Sequence, residues 1–563
     1  MYECPNCGGA LKFDIPSQQL KCDYCNTLLD PYTPLKAKNA VGTPSQTEET
    51  PVNSQPDMAQ APYKRKMRPT YEATIFTCPQ CGGEILSTDH EAAGFCSFCG
   101  VPTIFEMRMS QEESPEFIIP FQKTKEDCKR EYANLLNRAI FAPKELKDPQ
   151  YIDGFRGIYM PYWAYMITHK GHVDFSGSKS YRRGDYDYTD TYRLSANVDA
   201  YYKGIAYDAS SSFDDNISET IAPYDVRGMK QFTPTYLSGF YGDTADVDSK
   251  IYEEDARQFA NERTYETASK VPAFSGFGFR NDAKSNPYGA NATLHTSCAE
   301  VNSTMFPVWF LSYRKGNRVA YATVNGQTGK VAADVPVDVK KYVIGSLVLT
   351  IPIFILLNLF LSMKATSLLT LAAGFAVLSI FLYWEEMKKI VERDLHENDK
   401  GLNYKTQPHT LYEKNQRLKK KKPAKGTDSV RKWLTGGTAV FIWIVCIFPL
   451  LSQLIMMFMR GSSLLLMIAV AVATLIGSVL AYQIWVKWED RKILPGFMWS
   501  MIAVAIAFMI TLCNPSSDIF YYVGTILSIG AVCVTMMEII TTYNVLATRK
   551  LPQFNKTGGD DRA

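Results

Sequence analysis

The sequence predicts a multidomain protein with two small β units, an α+β domain and an all-α transmembrane region of six helices. Three observations lead to this prediction. Eight of the 13 cysteines form four Cys-x-x-Cys pairs within the first hundred residues, a central stretch rich in aromatic residues shows partial strand-like alternation, and six long apolar runs follow it.

The 563 residues divide at these changes in composition. The predicted segments are the first cysteine unit (1–30), a disordered linker (31–70), the second cysteine unit (71–114), an aromatic-rich α+β domain (115–341), a transmembrane hairpin (342–384), a basic loop (385–436), four further transmembrane helices (437–546) and a tail (547–563). The formal net charge is only +3, so bulk charge identifies no class of partner.

The two cysteine units are an internal repeat. The four cysteines of the second unit lie 74 residues after those of the first, and 14 residues separate the two pairs within each unit. Four thiols at this spacing are typical of a structural site in which Zn²⁺ takes four soft ligands in a tetrahedron. The predicted ligands are Cys4, Cys7, Cys22 and Cys25 in the first unit and Cys78, Cys81, Cys96 and Cys99 in the second. Gly8, Gly82 and Gly100 each follow a pair, where the chain can take a positive φ at low cost.

Other uses of these cysteines can be weighed from the sequence. Iron in a rubredoxin-like site takes the same four ligands, so zinc is favoured and iron stays open. Disulfides are disfavoured because no secretory signal is expected at the start of the chain. Cysteine fills every ligand position, which leaves none for a catalytic water, and no catalytic motif is found elsewhere, so we expect no enzyme. His169 and His172 are three residues apart on a predicted strand and should point to opposite faces.

The segments between the cysteines and the apolar runs have distinct compositions. Residues 31–70 contain seven prolines and few large apolar residues, which predicts a flexible tether. Within the α+β domain we predict helices over Lys123–Ile140 and Ile251–Lys270 and strands within Gly157–His172, Tyr186–Tyr207 and Thr304–Val335. Asn325-Gly326 predicts a tight turn inside the last of these segments.

The apolar runs are each about long enough to cross a bilayer. They are Tyr342–Ser362, Thr366–Trp384, Gly437–Met459, Leu464–Trp485, Ile493–Cys513 and Ile519–Met537, and none contains an ionisable Asp, Glu, Lys, Arg or His. Glu385–Leu434 holds 14 Lys and Arg, which by the positive-inside rule places both termini in the cytoplasm, at the inner membrane. Lys419–Lys422 lies just before the third run, where anionic lipid head groups can bind. Glu538 is expected at the cytoplasmic boundary.

The Cys-Pro-x-Cys-Gly-Gly…Cys-x-x-Cys units resemble zinc ribbons of the TFIIB type. The whole arrangement, with Ile158–Trp163, Asn325–Gly329 and the apolar runs, resembles bacterial multi-pass membrane proteins that contain such ribbons. The resemblance implies zinc at the eight cysteines and a place in the membrane. It carries over no catalytic residue.

These features together favour a membrane scaffold or sensor that binds a protein partner at the inner membrane face. A membrane-tethered nucleic-acid-binding protein is the second hypothesis; it rests on the ribbons and on Lys64–Arg68, and the absence of a dense basic face in residues 1–114 disfavours it. A transporter or channel with regulatory ribbons is the third, disfavoured by the lack of ionisable residues in the apolar runs. The partner and the oligomeric state stay open.

Overall fold

The structure is a computed structural model that describes residues 2–33, 69–87, 93–104, 106–274, 276–279, 295–316, 318–360, 364–394, 399–401, 463–486 and 494–550. Most of the predicted linker, the basic run Lys419–Lys422, the apolar run Gly437–Met459 and the tail after residue 550 lie outside these ranges. Predictions for those segments stay predictions.

The strands, in chain order, are β1 (Leu11–Asp14), β2 (Gln19–Cys22), β3 (Leu28–Leu29), β4 (Thr70–Thr77), β5 (Glu84–Ser87), β6 (Ala93–Phe95), β7 (Pro102–Ile104), β8 (Glu106–Glu113), β9 (Phe117–Ile118), β10 (Arg156–Arg183), β11 (Tyr186–Asp208), β12 (Lys230–Gln231), β13 (Tyr241–Gly242), β14 (Gly278–Phe279), β15 (His295–Lys315), β16 (Arg318–Asn325), β17 (Val331–Ala333) and β18 (Arg549–Lys550). The α-helices are α1 (Lys125–Arg138), α2 (Pro149–Ile152), α3 (Asp215–Ile221), α4 (Glu253–Ser269), α5 (Val339–Phe360), α6 (Ala365–Asp394), α7 (Ser463–Trp485), α8 (Gly496–Cys513) and α9 (Ile519–Ala547).

A three-stranded antiparallel sheet, β1-β2-β3, forms the first cysteine unit. Leu11 pairs with Cys22 and Phe13 with Leu20, so their side chains point to one face, where all four are buried. This face is too small to hold a fold by itself, and it packs against the α+β domain in a common apolar core.

The α+β domain is built on a 13-stranded sheet whose longest path runs β12-β9-β15-β10-β13-β5-β4-β8. Its centre is the pair β10 and β15, which runs antiparallel from Arg156 to Lys170. β11 returns along β10 in a long hairpin, and β16 pairs with the other edge of β15. β5 pairs with β13, so strands of the second cysteine unit are part of this sheet.

The two predicted helices of this domain are present. α1 begins after Thr124, whose hydroxyl accepts from the Asp127 N–H while the Asp127 carboxylate accepts from the Thr124 N–H. Its residues Cys128, Tyr132 and Leu136 recur every four positions and are buried in the core that also holds the first cysteine unit.

The predicted tight turn at Asn325-Gly326 is wrong in its length. β16 ends at Asn325 and β17 begins at Val331, so a five-residue loop joins them. The Asn325 Oδ1 accepts from the N–H groups of Gln327 and Thr328, both at 2.9 Å, and holds the wider loop. Gly326 is needed because a Cβ there would lie 2.6 Å from the Phe121 ring.

Within the described ranges four helices, not six, are long and apolar enough to cross a membrane: Ala365–Glu392, Met467–Trp485, Gly496–Cys513 and Ile519–Val545. The third predicted run lies outside the described residues, so that span stays a prediction. α5 covers the first predicted run and is not among the four. α8 starts at Gly496 rather than at residue 493 because Pro495 occupies its N-cap.

α6, α7, α8 and α9 pack together as a four-helix bundle with two buried apolar clusters. α9 continues ten residues beyond Met537, where its predicted span ends, and reaches the sheet. There the Arg318 guanidinium of β16 donates to the carbonyls of Val545 and Thr548, and β18 pairs with β16. The Asn544 amide also bonds the backbone N–H and carbonyl of Val337, just before α5. The helical bundle and the sheet are therefore joined directly.

Candidate metal centres

All four Cys-x-x-Cys pairs adopt the same turn. In each, the residue after the second cysteine has a positive φ and its N–H donates to the carbonyl of the first cysteine. These residues and their φ angles are Gly8 (73°), Asn26 (58°), Gly82 (75°) and Gly100 (67°), with N–H···O distances to Cys4, Cys22, Cys78 and Cys96 of 2.8, 2.9, 2.7 and 2.9 Å. The turn directs both thiols of a pair to the same side.

The sequence prediction was confirmed for the three glycines and missed Asn26. Asparagine is the non-glycine residue that most readily takes a left-handed conformation. An asparagine directly after Cys25 was therefore a usable signal for the fourth turn.

The two sets of four sulfurs are each brought to one point. The Sγ atoms of Cys4 and Cys25 are 3.6 Å apart and those of Cys7 and Cys22 are 3.4 Å apart. In the second unit, Cys78 and Cys99 are separated by 3.8 Å and Cys81 and Cys96 by 3.7 Å. Within each set all four sulfurs lie within 4.8 Å of one another.

These separations fit a metal and not a disulfide. Four sulfurs about 2.3 Å from a tetrahedral ion are about 3.8 Å from each other, whereas a disulfide brings two sulfurs to about 2.05 Å. The eight predicted ligands are thus assembled into two groups that could hold an ion. Thiolate sets of this kind accept zinc or iron, and in both groups the protein can supply all four ligands.

The two centres differ in their access to solvent. Cys7 is exposed and Cys25 half-buried in the first centre, whereas all four cysteines of the second are buried. In the first centre, the hydroxyl and the backbone N–H of Thr27 lower the pKa of the Cys25 thiol to about 6. A lowered pKa favours the thiolate, which is the form that binds a metal.

The first centre is docked on the α+β domain by an aromatic side chain. The Phe13 ring centroid lies 5.1 Å from that of Tyr236 and 6.5 Å from that of Phe240. The Phe13 N–H donates to the Ser238 carbonyl at 3.0 Å, and the Gln18 amide donates to the Phe121 carbonyl at 2.7 Å. The unit is held by apolar packing and by hydrogen bonds together.

The second centre is supported by the central sheet. Phe98, which lies between Cys96 and Cys99, packs 6.3 Å from the Phe310 ring of β15. The buried Tyr321 hydroxyl of β16 donates to the Phe98 carbonyl at 2.6 Å. Loss of the metal would therefore also disturb side chains of the sheet.

The two histidines on β10 point to opposite faces, as predicted. His169 is fully buried and its Nδ1 lies 2.9 Å from the Thr264 hydroxyl, while His172 is exposed and contacts Asn197. Burial lowers the pKa of His169 to about 4, which keeps its ring neutral. Apart from the two cysteine sets, the described residues contain no group of three or more His, Cys, Asp or Glu able to hold an ion.

The sequence reasoning missed the environment of Glu538. This residue is 7% exposed, inside the candidate span Ile519–Val545. Its carboxylate accepts from the Gly496 N–H at the start of α8 and from the Tyr383 hydroxyl of α6. Beside it, the Ser500 hydroxyl lies 2.8 Å from that of Thr535 on α9. A polar layer thus joins three helices of the bundle, and Glu538 supplies the cap that Pro495 cannot.

The chain is similar to one curated protein, the "Uncharacterized protein YdjG" of Bacillus subtilis (strain 168), with 24% identity over 342 residues that cover 60% of this chain and 90% of that protein. No protein-family model and no solved structure matches the chain.

Proposed function

We propose that this protein is a non-enzymatic membrane scaffold or sensor that binds a protein partner at the cytoplasmic face of the inner membrane. The two cysteine units are zinc ribbons of the TFIIB type, each holding one structural zinc ion, and both termini are cytoplasmic. Lys419–Lys422 adds contacts to anionic lipids. Filled ligand sets support a structural role for the metal, because catalytic zinc keeps an open position.

The observation that carries the proposal is the end of the β10–β11 hairpin. Among the described residues, β15 pairs with β10 as far as Lys170 and β14 pairs with it as far as Ser178, and every residue from 179 to 193 is exposed. We name residues 179–193 the tyrosine tip. A two-stranded ribbon that extends beyond its sheet contributes little to the core of its own domain.

The tyrosine tip has the composition of a protein-binding surface. Tyr186 is 72% exposed, and Tyr181 and Tyr188 are 47% and 45% exposed. The rings of Tyr181 and Tyr188 face each other across the strands, stacked with centroids 5.6 Å apart. Tyrosine offers a large apolar area with few rotamers to immobilise and is enriched in protein interfaces. Stacking fixes part of this surface before a partner arrives.

Site-specific photo-crosslinking in intact cells tests the proposal. A benzophenone amino acid replaces Tyr186 in the full-length protein, and the matched control carries it at Phe259, an aromatic residue of α4 that is 42% exposed. We expect a discrete adduct with one protein from position 186 and none from position 259. Absence of a discrete adduct at position 186, or the same adducts from both positions, would refute the proposed role of the tip.

Metal analysis tests the ribbons separately. We expect two zinc ions per purified chain and a single ion after Cys78→Ser or Cys4→Ser. If the analysis finds iron in place of zinc, the proposed metal is wrong, but the eight cysteine ligands still stand.

A second function, transport or a channel, is favoured by one observation. Glu538 is a buried carboxylate within a candidate span, and such residues mark ion or proton pathways in many membrane proteins. Its two hydrogen bonds explain it equally well as a helix cap. Reconstituted vesicles separate the two: a flux abolished by Glu538→Gln with an intact fold indicates transport, and no flux in the unaltered protein removes this candidate.

A further inference from the structure

A cavity of about 610 Å³ lies between the second metal centre and the central sheet. Its walls are the turn Cys96–Gly100, the segment Tyr151–Arg156 that leads into β10, and Phe310–Arg314 of β15, with Lys125 of α1 beside them. We name it the knuckle cavity. Its volume is in the range of sites for small organic ligands.

The knuckle cavity is positively charged. Lys125, Arg156 and Arg314 line it, and the single carboxylate in the lining, Asp153, is paired with Lys129 at 2.5 Å. Among the residues that the structure describes, neither Lys125 nor Arg156 has a carboxylate within ion-pair distance; the Arg156 guanidinium lies over the Tyr241 ring at 5.5 Å. The three cations outnumber the one carboxylate in the lining, and this excess of positive charge favours an anion.

One wall of the cavity holds a hydroxyl with no hydrogen-bond partner among the described residues. Ser97 is 5% exposed, and its Oγ neither donates nor accepts. Leaving such a group unpaired in the interior costs about 1–3 kcal/mol. Ser97 is part of the cavity lining, so rotation of its side chain would let the hydroxyl donate a hydrogen bond to an oxyanion in the cavity.

The remaining walls are aromatic. The rings of Tyr151 and Tyr313 lie 5.2 Å apart in an edge-to-face arrangement, and Phe155 and Phe310 continue the same surface. The space is much larger than an inorganic anion requires. An anionic group joined to an apolar or aromatic body would use both parts of the lining.

We propose that the knuckle cavity binds an organic phosphate monoester. Lys125, Arg156, Arg314 and the Ser97 hydroxyl hold the phosphate, and the aromatic walls hold the organic part. The guanidinium groups match phosphate oxygens in geometry and charge. Because Ser97 lies between two metal ligands, the bound phosphate connects the second metal centre to the sheet. This inference does not depend on the identity of the protein partner.

Calorimetric titration of the full-length, metal-loaded protein in detergent tests the site. Two probes represent the two sources of a phosphate monoester: adenosine monophosphate for soluble ligands and dihexanoyl phosphatidic acid for a lipid head group. We expect saturable binding of at least one probe with one site per chain, weakened about tenfold or more by Arg156→Gln and by Ser97→Ala. Arg182→Gln, at the distant tyrosine tip, is the matched control and should leave the affinity unchanged.

Preference for adenosine monophosphate supports a soluble ligand, and preference for phosphatidic acid supports a lipid. Lack of saturable binding of both probes at millimolar concentration overturns the proposal, as does equal affinity in the Arg156→Gln and unaltered proteins. Ser97→Ala could disturb the metal turn, so metal content is measured for every variant. Arg314→Gln, at an exposed position, provides a second test at the rim and should also weaken binding.

Discussion

Truncation of Phe13 to alanine would test how the first cysteine unit is held against the domain. Phe13 is 4% exposed and contacts the rings of Tyr236 and Phe240. Truncation of a buried phenylalanine costs about 3–5 kcal/mol, a total that already includes the loss of its contacts with neighbouring rings. The groups that make the hydrogen bonds from the residue 13 N–H and from the Gln18 side chain are not removed by the substitution. We therefore expect a loss at the lower end, about 3 kcal/mol, equivalent to about 150-fold more of the undocked state.

Hydrogen–deuterium exchange of the full-length protein measures this change. The amide of residue 13 is the direct reporter because it donates to Ser238 of the domain. We expect its exchange to accelerate by about 100-fold. The matched control is Leu28→Ala on β3, whose side chain is 48% exposed and is not part of the apolar core that Phe13 joins; its effect should stay below about 0.5 kcal/mol. Unchanged protection in Phe13→Ala, or equal effects of both substitutions, would refute the docking argument.

Four further predictions follow from the contacts described. Tyr321→Phe removes the buried hydroxyl that donates to the Phe98 carbonyl, so the second centre should lose its metal to a chelator several-fold faster, with a stability loss of about 1–2 kcal/mol; unchanged release would contradict this. In the unaltered protein the first centre should lose metal before the second, because Cys7 is exposed and the second set is buried, which mass spectrometry during chelation measures. Arg318→Gln removes donors to the carbonyls at the end of α9, and should lower the melting temperature and expose the residues after α9 to protease; an unchanged protease pattern would argue against this attachment. Burial raises the pKa of Asp243 to about 6, so folding favours the protonated carboxyl group relative to the unfolded chain. The free energy of unfolding should therefore fall as the pH rises from about 4 through 6, by up to about 3 kcal/mol. Denaturant unfolding of Asp243→Asn at several pH values should lack this part of the pH dependence.

Features set by local sequence were predictable. The four cysteine turns depend on residues at most five positions apart, so Gly8, Gly82 and Gly100 could be assigned positive φ from the sequence. Helix α1 was located because its apolar residues recur at helical spacing. The capping box of Thr124 and Asp127, which marks its first turn in the structure, is also a local signal and was not used.

Features set by distant contacts were not predictable. Phe13 meets Tyr236 and Phe240, more than 200 positions away, and no local pattern specifies which domain surface a small unit selects. The knuckle cavity likewise combines Ser97 with Arg156 and Arg314. The sequence around each of these residues gives no sign of a binding site, because they come together only in the folded chain.

The hydrogen-bond partners of Glu538 were not predictable for a different reason. A charged residue ends an apolar run, so hydropathy placed the end of the span at Met537 and the acid outside it. In the structure the helix continues to Ala547, and the carboxylate is paired with Tyr383 and Gly496. Hydropathy measures the cost of transfer of a free side chain and omits the partners that offset that cost.

β16 connects both ends of the helical region to the sheet. β17 pairs with one end of β16 through Ala322 and Ala333, and β18 pairs with the other end through Arg318 and Lys550. The chain leaves the sheet after β17, passes through α5 to α9, and returns to the same strand. The segment before α5 and the segment after α9 are thus both paired with the same β-strand, which restricts rotation of the helices relative to the sheet. A change in the direction of α9 would therefore be transmitted to β16, and through the Tyr321 hydroxyl to the turn that holds Cys96 and Cys99.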